Sequence, residues 1–149
     1  MAVNLTIEIE GMEDFAALPG LTQRIVSRAV KLAATDVWGN VAREAPVDHG
    51  RLAGSFELDR ESDLYWNINT RVNYAAFVHE GTGLYGPMHR RITPTQASVL
   101  AFVVGGKQVF AKSVAGQKPN PYADRAIKRT DSRAQVFADI AVRELVTGP

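Results

Sequence analysis

The sequence predicts an α+β fold: a four- to five-stranded, mostly antiparallel sheet packed by two main helices, with a protruding β-hairpin. Three observations carry that expectation. Residues 3–9 and 66–72 alternate apolar and polar side chains with a period of two, the signature of half-buried strands. Residues 22–45 repeat apolar side chains at helical spacing. Two apolar runs, Val99–Val104 and Val109–Val114, flank Gly105-Gly106-Lys107-Gln108, as the arms of a hairpin flank a glycine turn.

The first strand sets Val3, Leu5, Ile7 and Ile9 against Asn4, Thr6, Glu8 and Glu10, and Gly11 ends it. Pro19-Gly20 marks a turn. Thr22 is placed to cap a long helix. Val26, Val30, Ala33, Val37 and Val41 form its apolar stripe, with Ile25, Ala29 and Leu32 beside them. Pro46 disfavours helical backbone at Ala45, so the helix should stop there. Leu52, Phe56 and Leu58 alternate, as do Trp66, Ile68, Thr70 and Val72, and the polar stretch 57–63 between them suits a reversal. A short helical turn at Tyr74–Val78 leads to a loop over Gly81–Pro87, and Tyr74 and Phe77 are expected to anchor that bend to the core. Pro119-Asn120-Pro121 announces a last helix, with Asn120 as cap and Pro121 at the first helical position. Thr130-Asp131 is a place where that helix could break.

A chain of 149 residues, 46% hydrophobic and 22% charged, is long enough for one domain with a real core, taken here as residues 1–149. With no cysteine, disulfides, thiolate zinc sites, iron–sulfur clusters and a cysteine nucleophile are excluded. The longest apolar run, Val99–Val104, is far shorter than the roughly 20 residues a membrane span needs, and the first residues do not read as a secretory leader.

The net charge of +1 is unevenly spread. Residues 1–86 carry seven basic and twelve acidic side chains, and residues 87–149 carry ten and four. That polarity has three readings: head-to-tail pairing of subunits, a basic face for nucleic acid, or two solvated faces.

Little in the sequence points to catalysis. His49, His79 and His89 lack zincin spacing, and a metal site would need three separate loops to converge. Gly54-Ser55-Phe56 is no nucleophile elbow. Gly81-Thr82-Gly83-Leu84-Tyr85-Gly86 matches a dinucleotide fingerprint in form, but Pro87 follows where a helix should start, and Val103–Gly106 stands where an acidic residue belongs. No metal or cofactor is implied. A hydrolase built on the three histidines and Glu80 is the weakest reading. Nine basic residues fall between Arg90 and Arg133, but Phe102 and Phe110 sit in apolar runs, where packing is their expected role rather than base stacking. A nucleic-acid-binding module using the basic C-terminal half is therefore the alternative to the leading reading.

Four blocks in fixed order supply the leading reading. They are Ala45-Pro46-Val47-Asp48-His49-Gly50-Arg51-Leu52, then Asn73-Tyr74-Ala75-Ala76-Phe77-Val78-His79-Glu80-Gly81-Thr82. Ile92-Thr93-Pro94 follows, running on to Leu100-Ala101-Phe102 and Val109-Phe110-Ala111-Lys112, and then Pro119-Asn120-Pro121-Tyr122. Over about residues 21–145 this order resembles the small head–tail joining, or tail-completion, proteins of long-tailed bacteriophages. His49 stands where that family often has threonine, and Ala123 where a larger apolar residue is usual.

The resemblance implies a non-enzymatic virion protein at the head–tail (neck) junction, present in the host cytoplasm during assembly and built into a homo-oligomeric ring. Its partners would be other copies and tail-tube, tail-terminator or head-completion proteins, with nonspecific contact to genomic DNA and none to membrane. Pro46, Asp48, Gly50, Tyr74, Glu80, Gly81, Thr82, Pro119 and Pro121 read as structural turn residues. Function should then lie in surfaces. The hairpin 99–114 is either an arm toward a neighbour or a completion of its own sheet, and Lys107, Gln108 and Lys112, with Arg90, Arg91 and Lys118, are the candidate contact residues.

Overall fold

The computed structural model describes residues 5–7, 15–47 and 50–148. In chain order they form strand β1 (Leu5–Ile7), a 3-10 turn (Phe15–Ala17), helix α1 (Gly20–Glu44), a second 3-10 turn (Ala53–Ser55), and strands β2 (Phe56–Arg60) and β3 (Trp66–Thr70). Then come the short helix α2 (Ala75–Glu80), a 3-10 turn (Gly83–Tyr85), strands β4 (Leu100–Val104) and β5 (Lys107–Ala111), helices α3 (Tyr122–Asp131) and α4 (Ala134–Val142), and a π-helical turn (Arg143–Thr147). The chain divides into two compact units, one of Met1–Asn73 with Tyr122–Pro149 and the other of Tyr74–Pro121.

The class is α+β, but the single four- to five-stranded sheet is not formed. There are two separate antiparallel hairpins, β2–β3 and β4–β5, and β1 adds a short third strand along β3 only. Nor are there two main helices but three, because the last helix breaks between Asp131 and Ala134. Arg133 leaves the helical region there, at φ −111° and ψ 5°.

In the first unit, α1 begins two residues before the expected Thr22 cap. The Gln23 side-chain amide reaches back to the carbonyls of Phe15 and Ala16, both at 3.0 Å, and fixes the first turn. At the other end Ala45 is extended (φ −61°, ψ 137°), as a residue before proline should be, and its N–H still closes on the Val41 carbonyl. The buried line is Val30, Ala34, Val37 and Val41, with Ala34 rather than Ala33 facing inward. Val30 and Ala34 pack on Trp66, with Val26, Leu58 and Leu64 around them. Strand β3 buries Trp66, Ile68 and Thr70 and alternates as the sequence predicts. The register with β2 runs from Phe56 opposite Thr70 to Arg60 opposite Trp66. The Leu52–Gly54 stretch expected in this strand is instead a turn, with the Ser55 hydroxyl bonded to the Leu52 carbonyl at 2.7 Å. Of the strand expected over residues 3–9, Leu5–Ile7 is formed, and the rest lies outside the described residues.

Helix α3 starts at Tyr122, and α1 packs on α3 and α4. Buried alanines at 34, 123, 126 and 141 let these helices approach closely. The Tyr122 ring lies 5.9 Å from that of Phe56, and burial pushes its hydroxyl pKa up to about 12. Polar ties cross the same helix faces. Buried Asn40 donates to Asp36 at 2.9 Å and to the Thr130 hydroxyl at 3.1 Å, and Thr130 donates to Asp36 at 2.8 Å. Glu44 accepts from Arg125 at 2.9 Å and from Arg129 at 2.5 Å. The Arg125 hydrogen bond holds the Glu44 carboxyl below its ordinary pKa. Glu144 is lowered in the same way by a two-pronged contact with Arg28, at 2.6 and 3.1 Å. Among the described residues no helix is long and apolar enough to cross a membrane.

Candidate functional site

The second unit carries all six expected contact residues, and it is organised around a backbone crossing. After α2, the segment 81–86 runs against 115–117. Thr82 donates its N–H to the Gln117 carbonyl at 2.9 Å, Leu84 to the Ala115 carbonyl at 2.8 Å, and the Gln117 N–H returns to the Thr82 hydroxyl at 2.9 Å. The crossing is too tight for side chains. A Cβ on Gly83 would lie 2.3 Å from the Ala115 oxygen, and one on Gly116 would lie 2.2 Å from the Thr82 oxygen. The glycines of the formal dinucleotide match therefore lie at a close backbone approach, and the Thr82 hydroxyl holds the facing segment through the Gln117 N–H. A two-way bridge between Ile92 and Val114, at 2.9 and 3.0 Å, continues from the crossing toward the hairpin.

Beyond the bridge, β4 and β5 pair with each other, Leu100 opposite Ala111 through to Val104 opposite Lys107. The loop is two residues long, not four, because Lys107 and Gln108 already belong to β5. Gly105 and Gly106 both have positive φ, 56° and 78°, which is the type I′ geometry that matches strand twist. The hairpin is solvated on both faces. Val103 is 68% exposed, Val104 57% and Phe110 61%. Directly opposed residues share a face, so Val103 and Phe110 lie with Ala101 and Gln108 on one side, and Val104 lies with Phe102 and Val109 on the other. Phe110 is thus an exposed aromatic and not the packed core residue the sequence suggested.

The expected contact residues fall in two places, Lys107, Gln108 and Lys112 in or just past the hairpin, and Arg90, Arg91 and Lys118 by the crossing and the bridge. Lys107 is next to the turn, Gln108 follows it, and Lys112 lies just past the end of β5; all three are exposed. Lys107 and Lys112 are five residues apart, about 17 Å along an extended strand. Arg91 donates to the Ser113 hydroxyl at 3.0 Å, and the Arg90 N–H bonds to the Gly83 carbonyl at 3.2 Å. Lys118 stands 5.8 Å over the Tyr85 ring, a cation–π contact. The unit holds five basic side chains and one acidic, Glu80.

The turn residues are placed as follows. Tyr74 precedes α2 and is half-buried, and its carbonyl accepts from Val78 at 3.0 Å. Phe77 is not an anchor: it is 53% exposed, while Ala75 and Ala76 take the buried positions. Three successive helical residues cannot all face one side, and the two small ones face inward. Glu80 ends α2 and is exposed, and Gly81 follows with Pro119 against it. Asn120 does not begin the last helix; its N–H bonds to the Val78 carbonyl at 3.0 Å, and Pro121 precedes the first helical residue. In the first unit Pro46 follows the end of α1 and Gly50 has a positive φ of 69°, and Asp48 and His49 lie outside the described residues.

Of the other histidines, His79 is on α2 and half-buried, and His89 faces the Leu84 carbonyl at 3.4 Å. Among the described residues no three histidine or acidic side chains gather as a metal site would require. An open cleft of about 300 Å³ in the first unit is lined by Gln23, Arg24, Ser27, Arg28, Asp63 and Leu145. Its one hydroxyl, Ser27, has no histidine beside it, and Arg28 is committed to Glu144. Comparison with family models, with curated proteins and with solved structures finds no match to this chain.

Proposed function

We propose that this chain is a structural component of a tailed bacteriophage, acting at the head–tail junction as a tail-completion or connector protein, and that the β4–β5 hairpin is the arm by which it docks on its neighbours. The observation that supports docking is the hairpin's double exposure. A two-stranded hairpin is marginal on its own, and Val103, Val104 and Phe110 stand largely in water. Covering those three side chains would contribute roughly 3–4 kcal/mol, scaled from full-burial values by their exposure. The four ordered motif blocks support the placement in a phage neck.

Light scattering tests this reading on Val103→Ser/Phe110→Ser, two changes on one hairpin face. The wild-type chain is expected to assemble and the variant to remain monomeric with an unchanged melting temperature. A wild-type chain that stays monomeric at high concentration, alone and with its tail partners, contradicts the reading.

One observation favours a second reading. Phe110 and Phe77 are exposed aromatics in a unit with five basic side chains, the combination that nonspecific nucleic-acid binding uses. Retention on DNA that falls steeply with salt would support it, and no retention at low salt would dismiss it.

A further inference from the structure

The first unit carries an exposed acidic strand. Among the described residues the sheet order β1-β3-β2 leaves β2 as an edge strand. Along β2 and the turn after it, Glu57, Asp59, Glu61 and Asp63 are all exposed. Arg60 pairs with Asp63, and Arg71 approaches Glu57 only to 3.9 Å. Asn69 donates to Asp59 at 3.0 Å and Asn67 donates to Glu61; these neutral amides orient the carboxylates and leave their charge in place. At the start of the acidic strand stands one partly exposed aromatic. Trp38 donates its indole N–H to the Phe56 carbonyl at 2.8 Å and keeps 39% of its area in solvent.

We propose that in the assembly the β4–β5 hairpin of one copy docks on the β2 edge of a second copy, its apolar residues covering Trp38 and its Lys107 and Lys112 meeting the Glu57–Asp63 acids. This rests on the assembly reading above and names the surface that reading leaves open. The two surfaces match in three respects. One is apolar and basic, and the other is apolar and acidic. Strands β2, β4 and β5 are each five residues long. Lys107 shares a face of the arm with Val104, and Lys112, five residues on, falls on the Phe110 face, so the arm presents a positive charge on either side of the edge that meets the acids. Because the two surfaces differ, the contact is heterologous, the kind that builds rings. Charge complementarity at such a contact sets register and association rate.

The test is charge reversal with rescue, read by sedimentation of the full chain. Lys107→Glu/Lys112→Glu and Glu57→Lys/Asp59→Lys each place like charges at the contact. Each alone should weaken association by about tenfold or more, and the wild type should weaken as salt rises from about 0.05 to about 0.5 M. An equimolar mixture of the two variants should recover assembly, because a reversed arm then meets a reversed edge. Recovery also shows that both variants are folded. If the wild type assembles but the mixture does no better than either variant, the β2 edge is not the receptor, and the assembly reading survives. If Lys107→Glu/Lys112→Glu loses DNA retention and keeps full assembly, the lysines serve nucleic acid and the proposal is overturned. If the wild type never assembles, both readings fall together.

Discussion

Replacing Gly83 with alanine should damage this protein far more than the same change at Gly106, although both glycines have positive φ, +64° and +78°. At Gly106 a new Cβ meets no atom within 4 Å, so the cost is that of left-handed backbone, about 1–2 kcal/mol. At Gly83 the same cost applies, and the Cβ also lands 2.3 Å from the Ala115 oxygen. The two segments must part by about 1 Å to restore van der Waals contact. That carries the 2.8 Å Leu84–Ala115 and 2.9 Å Thr82–Gln117 hydrogen bonds close to 4 Å, beyond useful range. Two lost backbone bonds at about 1 kcal/mol each bring the total to roughly 3–4 kcal/mol. At about 2–4 °C per kcal/mol for a chain of this size, Gly83→Ala should lower Tm by roughly 6–16 °C and Gly106→Ala by roughly 2–8 °C. Thermal unfolding by circular dichroism measures the difference, and hydrogen exchange at the Thr82 and Leu84 amides locates it. Equal melting temperatures for the two variants, with both amides still protected, would refute the crossing as the unit's anchor.

Further outcomes follow from the same geometry. Gly39 lies in α1 with open space around its Cα, so Gly39→Ala should stabilise by about 1 kcal/mol, read as a higher Tm. Asn40→Ala leaves Thr130 and Asp36 short of a buried donor and should cost about 2–3 kcal/mol in urea unfolding. Because the folded-state pKa of Glu44 is lowered, its contribution is present above the ordinary carboxylate range and lost as pH falls through that lowered value; Glu44→Gln should flatten this acid limb in Tm measured from pH 7 to 3. Tyr122 is the opposite case: its folded pKa is raised, so stability is full below pH 10 and declines as pH rises toward about 12. Ultraviolet titration should show the Tyr122 phenolate appearing only in that window and together with unfolding, and Tyr122→Phe should remove the linkage.

Local signals were readable where the cause is local. Pro46 forces Ala45 out of the helical region whatever surrounds it, so the end of α1 falls where the sequence places it. Trp66, Ile68 and Thr70 alternate because one face of β3 is buried and the other is not. Non-local causes were not readable. The Gly83–Gly116 approach joins residues 33 positions apart, and neither glycine differs in sequence from an ordinary loop glycine. Asn40 occupies a position on α1 that polarity alone would send to water; it is buried because Thr130 and Asp36 satisfy its amide. The β4–β5 hairpin was unreadable for a different reason. Val103, Val104 and Phe110 are apolar on both strand faces, which in a sequence reads as the interior of a sheet. The same pattern also occurs on a hairpin solvated on both faces, and the exposure of Phe110 and Val103 puts this one in that class.

Reconstruction of phage particles carrying a labelled copy of this chain tests the central claim most directly. The account predicts several rotationally related copies at the neck, with density for the β4–β5 hairpin resting on an adjacent subunit. Particles that lack the chain, or that hold it as one isolated copy with the hairpin in solvent, would contradict it.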